Sequence, residues 1–273
     1  MSIQRSAIKK TSFEFPAISY QLTAAFLLTL PLFGQAPGRG QAPAKTAREA
    51  APADLTGYWV SVISEDWRWR MVTPAKDDFA GIPFTPEGRK LGDTWDPAKD
   101  EASGDACRAY GAAAVMRLPG RLHITWQDDS TLKIETDTGT QTRLLHFGGK
   151  TPENPPASRQ GYSAAQWEGV VRGVGLPRAG LGATREGNNS RALQTVTTHL
   201  LPGYLRKNGF PVSGNAVVRE YYDVFSESSG QPWFVVTTIV EDPLYLQEPF
   251  VTSSNFKKQN DATGWNPRPC SAK

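Results

Sequence analysis

The sequence predicts an all-β fold in which an antiparallel sheet forms a sandwich or closes into a barrel. Short runs rich in Val, Ile, Thr and aromatic residues follow one another between turn-forming residues, and few stretches have helical periodicity. No internal repeat of fixed length is evident, which argues against a propeller or a solenoid. The expected strands are Gly57–Ile63, Trp67–Val72, Ala113–Leu118, Arg121–Trp126, Thr131–Thr136, Gln141–Phe147, Ala164–Val171, Ala192–His199, Val217–Phe225 and Trp233–Glu241.

Residues 1–44 have the layout of a secretory signal followed by the start of a linker. Three basic residues lie within the first ten positions, and an apolar stretch over 22–33 precedes a run of small residues. This stretch is short for a membrane-spanning helix, although an uncleaved anchor is the alternative. We therefore expect a periplasmic or secreted protein with a disordered Pro- and Ala-rich linker over 45–53 and one β domain over 54–273.

Removal of the signal would leave a chain of balanced charge. Residues 1–44 contain four of the 30 basic and one of the 27 acidic residues, so that 26 of each remain. A balanced surface offers no extended positive potential to nucleic acid or to anionic lipid. The sequence therefore predicts no nucleic-acid partner and no membrane insertion after signal cleavage.

The register of a three-strand meander over 121–147 follows from its turns. A three-residue loop after the first strand places Trp126 opposite Leu132. A second turn, in which Gly139 is free to adopt a positive φ, places Ile134 opposite Arg143. One face of the meander is then apolar, with Arg143 as its single charged residue.

Arg143 is the most informative residue of this face, because a charge on an apolar surface needs a partner or a wet cavity. It is either an anchor for an anionic or carbonyl-bearing ligand or the structural partner of an Asp or Glu. Trp126 and Phe147 share its face, and Tyr221 lies on a late strand. These four are the candidate ligand-binding residues, although aromatic rings of this kind also fill cores.

The histidines of the meander favour no metal site. His123 and His146 fall on its polar face, and His123 lies opposite Glu135 as an ordinary cross-strand pair. The chain has no P-loop, no dinucleotide fingerprint, no nucleophile elbow and no zinc-protease motif. We therefore expect neither a metal nor a cofactor.

One set of late residues could carry acid–base chemistry. His199 ends an expected strand, and Glu220 and Asp223 lie across the sheet from it. A histidine oriented by a carboxylate can act as a general base, which makes these three the candidate catalytic residues. The alternative is a surface histidine at a strand end.

The two cysteines and one helix start can also be placed. Cys107 and Cys270 are expected to form a disulfide in an oxidising compartment, with free thiols or a shared metal as alternatives. Thr85 followed by Pro86 has the chemistry of a helix N-cap and first helical residue.

The segment Gly57-Tyr58-Trp59 resembles the Gly-x-Trp with which lipocalins enter their first strand. The resemblance implies a closed lipocalin-like antiparallel barrel whose Trp closes the floor and whose other end admits an apolar ligand. The pattern departs from that family in one respect, because the expected last strand has no late Arg to cover the Trp; Arg219 is the substitute considered.

A longer set of stretches, among them "PGRLHITW", "TTHLLPGYLRKNG", "VEDPLYL" and "GWNPRPC", is similar to a widespread group of secreted bacterial proteins. This resemblance implies one β-rich domain and no particular reaction. The primary hypothesis is thus a secreted barrel that binds a small, mainly apolar molecule. The alternatives are a lyase, isomerase or hydratase that uses His199, and a filled barrel that acts as an interaction module.

Overall fold

The computed structural model describes residues 45–149, 151–168 and 192–273, and its central feature is a closed β-barrel of nine strands. Around the barrel the strands follow the order β1-β11-β10-β9-β6-β5-β4-β3-β2, and β7 and β8 form a separate two-stranded sheet. The strands are β1 (Gly57–Val62), β2 (Arg121–Asp128), β3 (Thr131–Thr136), β4 (Thr142–Phe147), β5 (Tyr162–Trp167), β6 (Ala192–Thr198), β7 (Gly203–Tyr204), β8 (Pro211–Val212), β9 (Val217–Ser226), β10 (Pro232–Glu241) and β11 (Phe250–Gln259).

The barrel is mixed rather than purely antiparallel. Every neighbouring pair of its strands runs antiparallel except β4 and β5, which run parallel. The parallel pair arises because the connection over 148–161 carries the chain back along the barrel before β5 begins, where a hairpin would have reversed its direction. The expectation of an antiparallel sheet is therefore correct for the other pairs only.

The predicted register of the meander is confirmed. Trp126 pairs with Leu132, and Ile134 pairs with both Ile124 and Arg143. Gly139 has a φ of 79°, as the turn between β3 and β4 requires. Inward and outward residues therefore alternate in the barrel wall as the sequence predicts.

Two expected strands are helical, and three strands were missed, namely the two-residue strands β7 and β8 and one strand of the barrel, β11. Trp67–Arg70 is the one-turn helix α1, and Val115–Arg117 is a 3-10 helix within the expected strand Ala113–Leu118. Both stretches alternate over too few residues to distinguish a strand from a turn of helix. The missed strand β11 places Thr252 and Ser254 on the buried side, so it lacks a continuous apolar stripe.

Short helices fill the long connection between β1 and β2. They are α1, α2 (Pro86–Gly92), α3 (Pro97–Ala102) and a second 3-10 helix, Ala106–Tyr110. Thr85 accepts a hydrogen bond from the backbone N–H of Gly88, which confirms it as the N-cap of α2, and Pro86 is the first helical residue. No helix in the described ranges is long and apolar enough to cross a membrane.

The two ends of the barrel are closed differently. At the basal end, where β1 begins and β2 and β4 end, the interior belongs to the main core that surrounds Trp59 and Phe234. At the capped end, where β1 ends and β2 begins, a second core packs over the strand ends. This cap consists of residues 63–120, 199–216, 242–249 and the C-terminal residues 266–273.

Several expectations concern the termini and one segment of the middle. The expected linker over 45–53 lies against the barrel, where the indole N–H of Trp167 donates to the backbone oxygen of Ala47 at 2.9 Å. The expected signal over 1–44 and the end of the expected strand Ala164–Val171 lie outside the described residues. Cys107 and Cys270 form a disulfide, as predicted, which ties the C-terminal residues to the rest of the cap.

Candidate functional site

Trp59 closes the barrel and is not available to a ligand. Its side chain is fully buried, and its indole N–H donates to the backbone oxygen of Leu55 at 2.8 Å. The ring packs edge-on against Phe234 with centroids 4.8 Å apart. The Gly-x-Trp of the first strand is therefore a structural element of the basal end.

Arg143 forms a two-pronged ion pair with Glu220 inside the barrel. Nη1 and Nη2 of Arg143 donate to the two carboxylate oxygens of Glu220 at 2.9 and 2.7 Å, and both side chains are 0% exposed. The hydroxyl of Thr195 donates to the same carboxylate at 3.1 Å. Of the two roles considered for Arg143, the structure shows the partner of a carboxylate.

The ion pair also affects the pKa values of Arg143 and of the neighbouring Tyr222. Burial alone would lower the pKa of Arg143, but the Glu220 carboxylate outweighs it, and the net effect raises that pKa. Burial raises the pKa of Tyr222 as well, and Glu220 adds to the effect. The hydroxyl of Tyr222 makes no hydrogen bond within the described chain. The opposite charges of Arg143 and Glu220 offset each other, which leaves no net charge for a ligand.

The candidate catalytic residues are not brought together. His199 has a φ of 57°, and its Nδ1 lies 2.9 Å from the hydroxyl of Thr198. Within the described ranges, neither Glu220 nor Asp223 forms an ion pair or hydrogen bond with His199. Asp223 points out of the barrel, and partial burial, followed by the charge of Glu168, raises its pKa. This geometry gives His199 no orienting carboxylate.

The aromatic candidates divide between the two faces of the barrel wall. Trp126 and Phe147 lie inside at the basal end, with centroids 5.4 Å apart, and Trp167 completes their cluster. Tyr221 lies outside, where its hydroxyl accepts a hydrogen bond from Gln194. The ligand-binding candidates therefore do not converge on one cavity.

His123 and His146 lie on the outer face, as predicted. His123 stacks on Tyr58 and lies 3.3 Å from Glu135, whereas His146 stacks on Tyr162. Burial lowers the pKa of His146. In the part of the chain that the structure describes, no cluster of three or more His, Cys, Asp or Glu residues could hold a metal ion.

A cleft at the capped end has the volume of a small-molecule site. It measures about 450 Å³ and lies between the end of α1, the β3–β4 turn and the C-terminal residues. Its apolar wall includes Met71 and Val72, whose exposed fractions of 57% and 63% are high for large apolar residues. The residues that line this cleft are Arg70, Met71, Val72, Thr73, Tyr110, Leu118, Pro119, Thr138, Lys207, Arg268, Pro269, Ser271 and Lys273.

A second cleft of about 300 Å³ lies elsewhere on the cap, beside α3 and the β7–β8 sheet. Asp100, which is buried at its base, accepts hydrogen bonds from Arg108 at 3.2 Å and from the hydroxyl of Tyr204 at 2.8 Å. The Arg108 guanidinium also lies over the Tyr204 ring. Asp100, Arg108 and Tyr204 therefore satisfy one another, whereas the indole N–H of Trp95 in the same cleft has no partner among the described residues.

The first cleft was not predicted, because its walls include a segment that was expected to be a strand and a loop that was given no role. Met71 and Val72 belong to an expected strand, and Lys207 lies in the loop that follows β7. One signal was present: Trp67 and Met71 are four residues apart, which places two large apolar side chains on one side of a helical turn. Comparison of the chain with protein-family models, with curated proteins and with solved structures found no match.

Proposed function

We propose that this protein binds a small, mainly apolar molecule, and that the ligand lies in the cleft at the capped end of the barrel. The cleft itself is the observation that carries the proposal. Its volume of about 450 Å³ falls within the range of about 300–1,000 Å³ that is typical of small-molecule sites. Met71 and Val72 give it an apolar wall that is exposed to solvent.

The barrel interior is a weaker candidate for the same role. Leu132, Ile134, Leu145 and Tyr222 are at most 1% exposed and fill the space around Arg143. Nη1 and Nη2 of Arg143 are already engaged by Glu220, and its Nε, which has no partner among the described residues, is enclosed by a side chain that is 0% exposed. The sequence-based hypothesis of an apolar ligand is kept, while its proposed site moves from the interior to the cap.

The disulfide supports the proposal because it positions one wall of the cleft. Arg268, Pro269 and Ser271 flank Cys270, whose bond to Cys107 holds them against the cap. A disulfide of this kind fits a secreted or periplasmic location, where thiols are oxidised. Preorganised walls reduce the entropy cost of binding.

The test uses N-phenyl-1-naphthylamine, an uncharged apolar probe that fluoresces when it leaves water. The intact mature protein should enhance its emission in a saturable manner. Val72→Asn should weaken binding about tenfold, since about 1.4 kcal/mol is a large part of the free energy of burying a valine side chain.

Val251→Asn is the matched control, because Val251 is as exposed as Val72 but lies on the outer face of β11. This variant should bind the probe as the unmodified protein does. The proposal would be overturned if the probe showed no saturable enhancement, or if the Val72→Asn variant bound the probe as tightly as the unmodified protein does.

A further inference from the structure

Three arginines are buried together in the cap, behind the wall of the first cleft. Arg70, Arg117 and Arg206 are only 6%, 5% and 4% exposed. All three line a small cavity of about 20 Å³. Arg70 also lines the cleft of about 450 Å³, so it connects the buried cluster with the open site.

The guanidinium groups are incompletely paired. Arg70 donates to the backbone oxygen of Arg117 at 2.8 Å, and Arg206 donates to the backbone oxygen of Ala80 at 2.7 Å. Within the described residues, Nη2 of Arg70 and Nε of both Arg117 and Arg206 have no hydrogen-bond partner. Unpaired N–H groups of buried arginines are costly, because each guanidinium offers five donors and has lost its water.

The nearby carboxylates offset the three charges only in part. Asp66 lies 3.0 Å from Nη2 of Arg117, and Glu65 lies 3.4 Å from Nη1 of Arg70. The charge of Asp78 raises the pKa of Arg206, but Asp78 is also paired with Arg68 at 2.8 Å.

Burial is the main influence on the ionisation of the cluster. Burial, followed by repulsion from Arg206, lowers the pKa of Arg117 to about 10, although Asp66 opposes the effect. Burial also lowers the pKa of Arg70 and of Arg206. The cluster therefore has unsatisfied positive charge next to a cleft.

The open cleft adds cations and no acidic side chain. Arg268 is exposed on one wall, and its guanidinium makes no hydrogen bond or ion pair with the rest of the described chain. Lys207 lies beside the ring of Tyr110 and donates to the backbone oxygen of Lys273. No Asp or Glu is found among the residues that line this cleft.

We infer that the ligand of this cleft is an organic anion, a carboxylate joined to an apolar body, whose carboxylate binds the exposed guanidinium of Arg268, while the buried Arg70 behind the wall adds positive charge. This inference rests on the proposed function and adds the charge of the ligand to it. The planar fork of an arginine matches a carboxylate in two hydrogen bonds. The apolar body contacts Met71 and Val72 on the other wall.

The experiment compares octanoate with 1-octanol, which have the same chain length and differ in charge. Each is titrated against the intact protein by displacement of N-phenyl-1-naphthylamine. Octanoate should bind at least tenfold more tightly. Raising the ionic strength from about 0.05 M to about 0.5 M should weaken the binding of octanoate and leave the binding of 1-octanol unchanged, since salt screens exposed charges.

Three variants locate the carboxylate. Arg268→Gln should weaken the binding of octanoate several-fold and leave the binding of 1-octanol unchanged, whereas Arg268→Lys, which keeps the charge without the planar fork, should retain an intermediate octanoate affinity. Lys90→Gln is the control, because Lys90 is an exposed residue of α2 outside the cleft and its loss removes the same charge.

The outcomes separate this inference from the proposed function. Equal affinities for octanoate and 1-octanol would overturn the inference and leave the apolar site in place. Displacement by inorganic phosphate at the same concentration as octanoate would also overturn it, because the apolar body would then contribute nothing. Binding of neither alcohol nor carboxylate, together with no probe binding, would overturn both.

Discussion

Replacing Arg143 with Met should destabilise the protein by about 3–5 kcal/mol, because the change leaves the Glu220 carboxylate inside the barrel without its cation. The structure supports a value in this range, since both side chains are 0% exposed and two hydrogen bonds of 2.9 and 2.7 Å join them. Water cannot replace Arg143 at that depth, so the free energy of unfolding falls by the cost of an unpaired buried charge.

The double variant Arg143→Met/Glu220→Leu should recover most of that loss. Well-packed apolar residues often replace a buried ion pair at little cost or with a gain in stability. The hydroxyl of Thr195 would lose its acceptor, for a cost of about 1 kcal/mol. A double-mutant cycle by urea unfolding, followed by tryptophan fluorescence with the disulfide intact, measures the coupling directly.

A matched cycle on the outer wall provides the control. Arg219 and Glu241 lie 3.5 Å apart, with side chains 39% and 43% exposed. Their coupling should be below about 1 kcal/mol, because solvent screens an exposed pair. A coupling between Arg143 and Glu220 no larger than that of the outer pair would refute the argument from burial, as would a double variant that loses the sum of the two single losses.

The remaining predictions concern the disulfide and one histidine. The double variant Cys107→Ser/Cys270→Ser should lower the free energy of unfolding by about 5 kcal/mol in the chain-entropy model, because the bond joins residues separated by 163 positions. It should also weaken the binding of the probe in the cleft, because Arg268 loses its anchor. Unchanged urea unfolding and unchanged probe affinity would contradict this prediction. Burial lowers the pKa of His146 below 6.5, so its stabilising contribution is present above about pH 6.5 and is lost as the pH falls. The variant His146→Phe keeps the stack on Tyr162, and its free energy of unfolding should depend less on pH between about pH 7 and about pH 5. An unchanged pH profile would show that another group titrates.

The barrel wall was predictable because period-two alternation and turn geometry are local properties of the chain. The register from Trp126 to Arg143 follows from two short turns and from the requirement that facing residues share a side. The parallel pairing of β4 with β5 was not predictable in the same way. It depends on how the connection over 148–161 crosses the barrel, and no residue pattern within either strand records that path.

The cap was harder to predict because its parts are short and distant in sequence, and one strand of the barrel wall, β11, was also missed. The one-turn helix α1 alternates as a strand would, and β11 has hydroxyl side chains where a buried stripe would be apolar. In each case the surroundings decide the structure. Trp67–Arg70 pairs with no strand, whereas β11 is held between β1 and β10.

The sequence identified Arg143 as exceptional but could not choose its partner. Alternation along β9 places Glu220 and Tyr222 on the opposite face from Asp223, yet only the closed order of strands shows which face is the interior. The buried arginine cluster behind the cleft was not predictable at all. Arg70, Arg117 and Arg206 come from three segments that meet only when the barrel closes.

The position of the cleft follows from the way the chain connects its strands. At the capped end the connections are long, over 63–120, 199–216 and 242–249, and the disulfide adds the C-terminal residues to them. The basal connections over 129–130 and 227–231 are short, whereas the connection between β5 and β6, also basal, lies mostly outside the described residues. The long connections at the capped end form the walls of the cleft, and loops of this kind can change in sequence while the barrel wall keeps its register. The two charges of Arg143 and Glu220 satisfy each other inside the wall, whereas the guanidinium of Arg268 is exposed at the cleft.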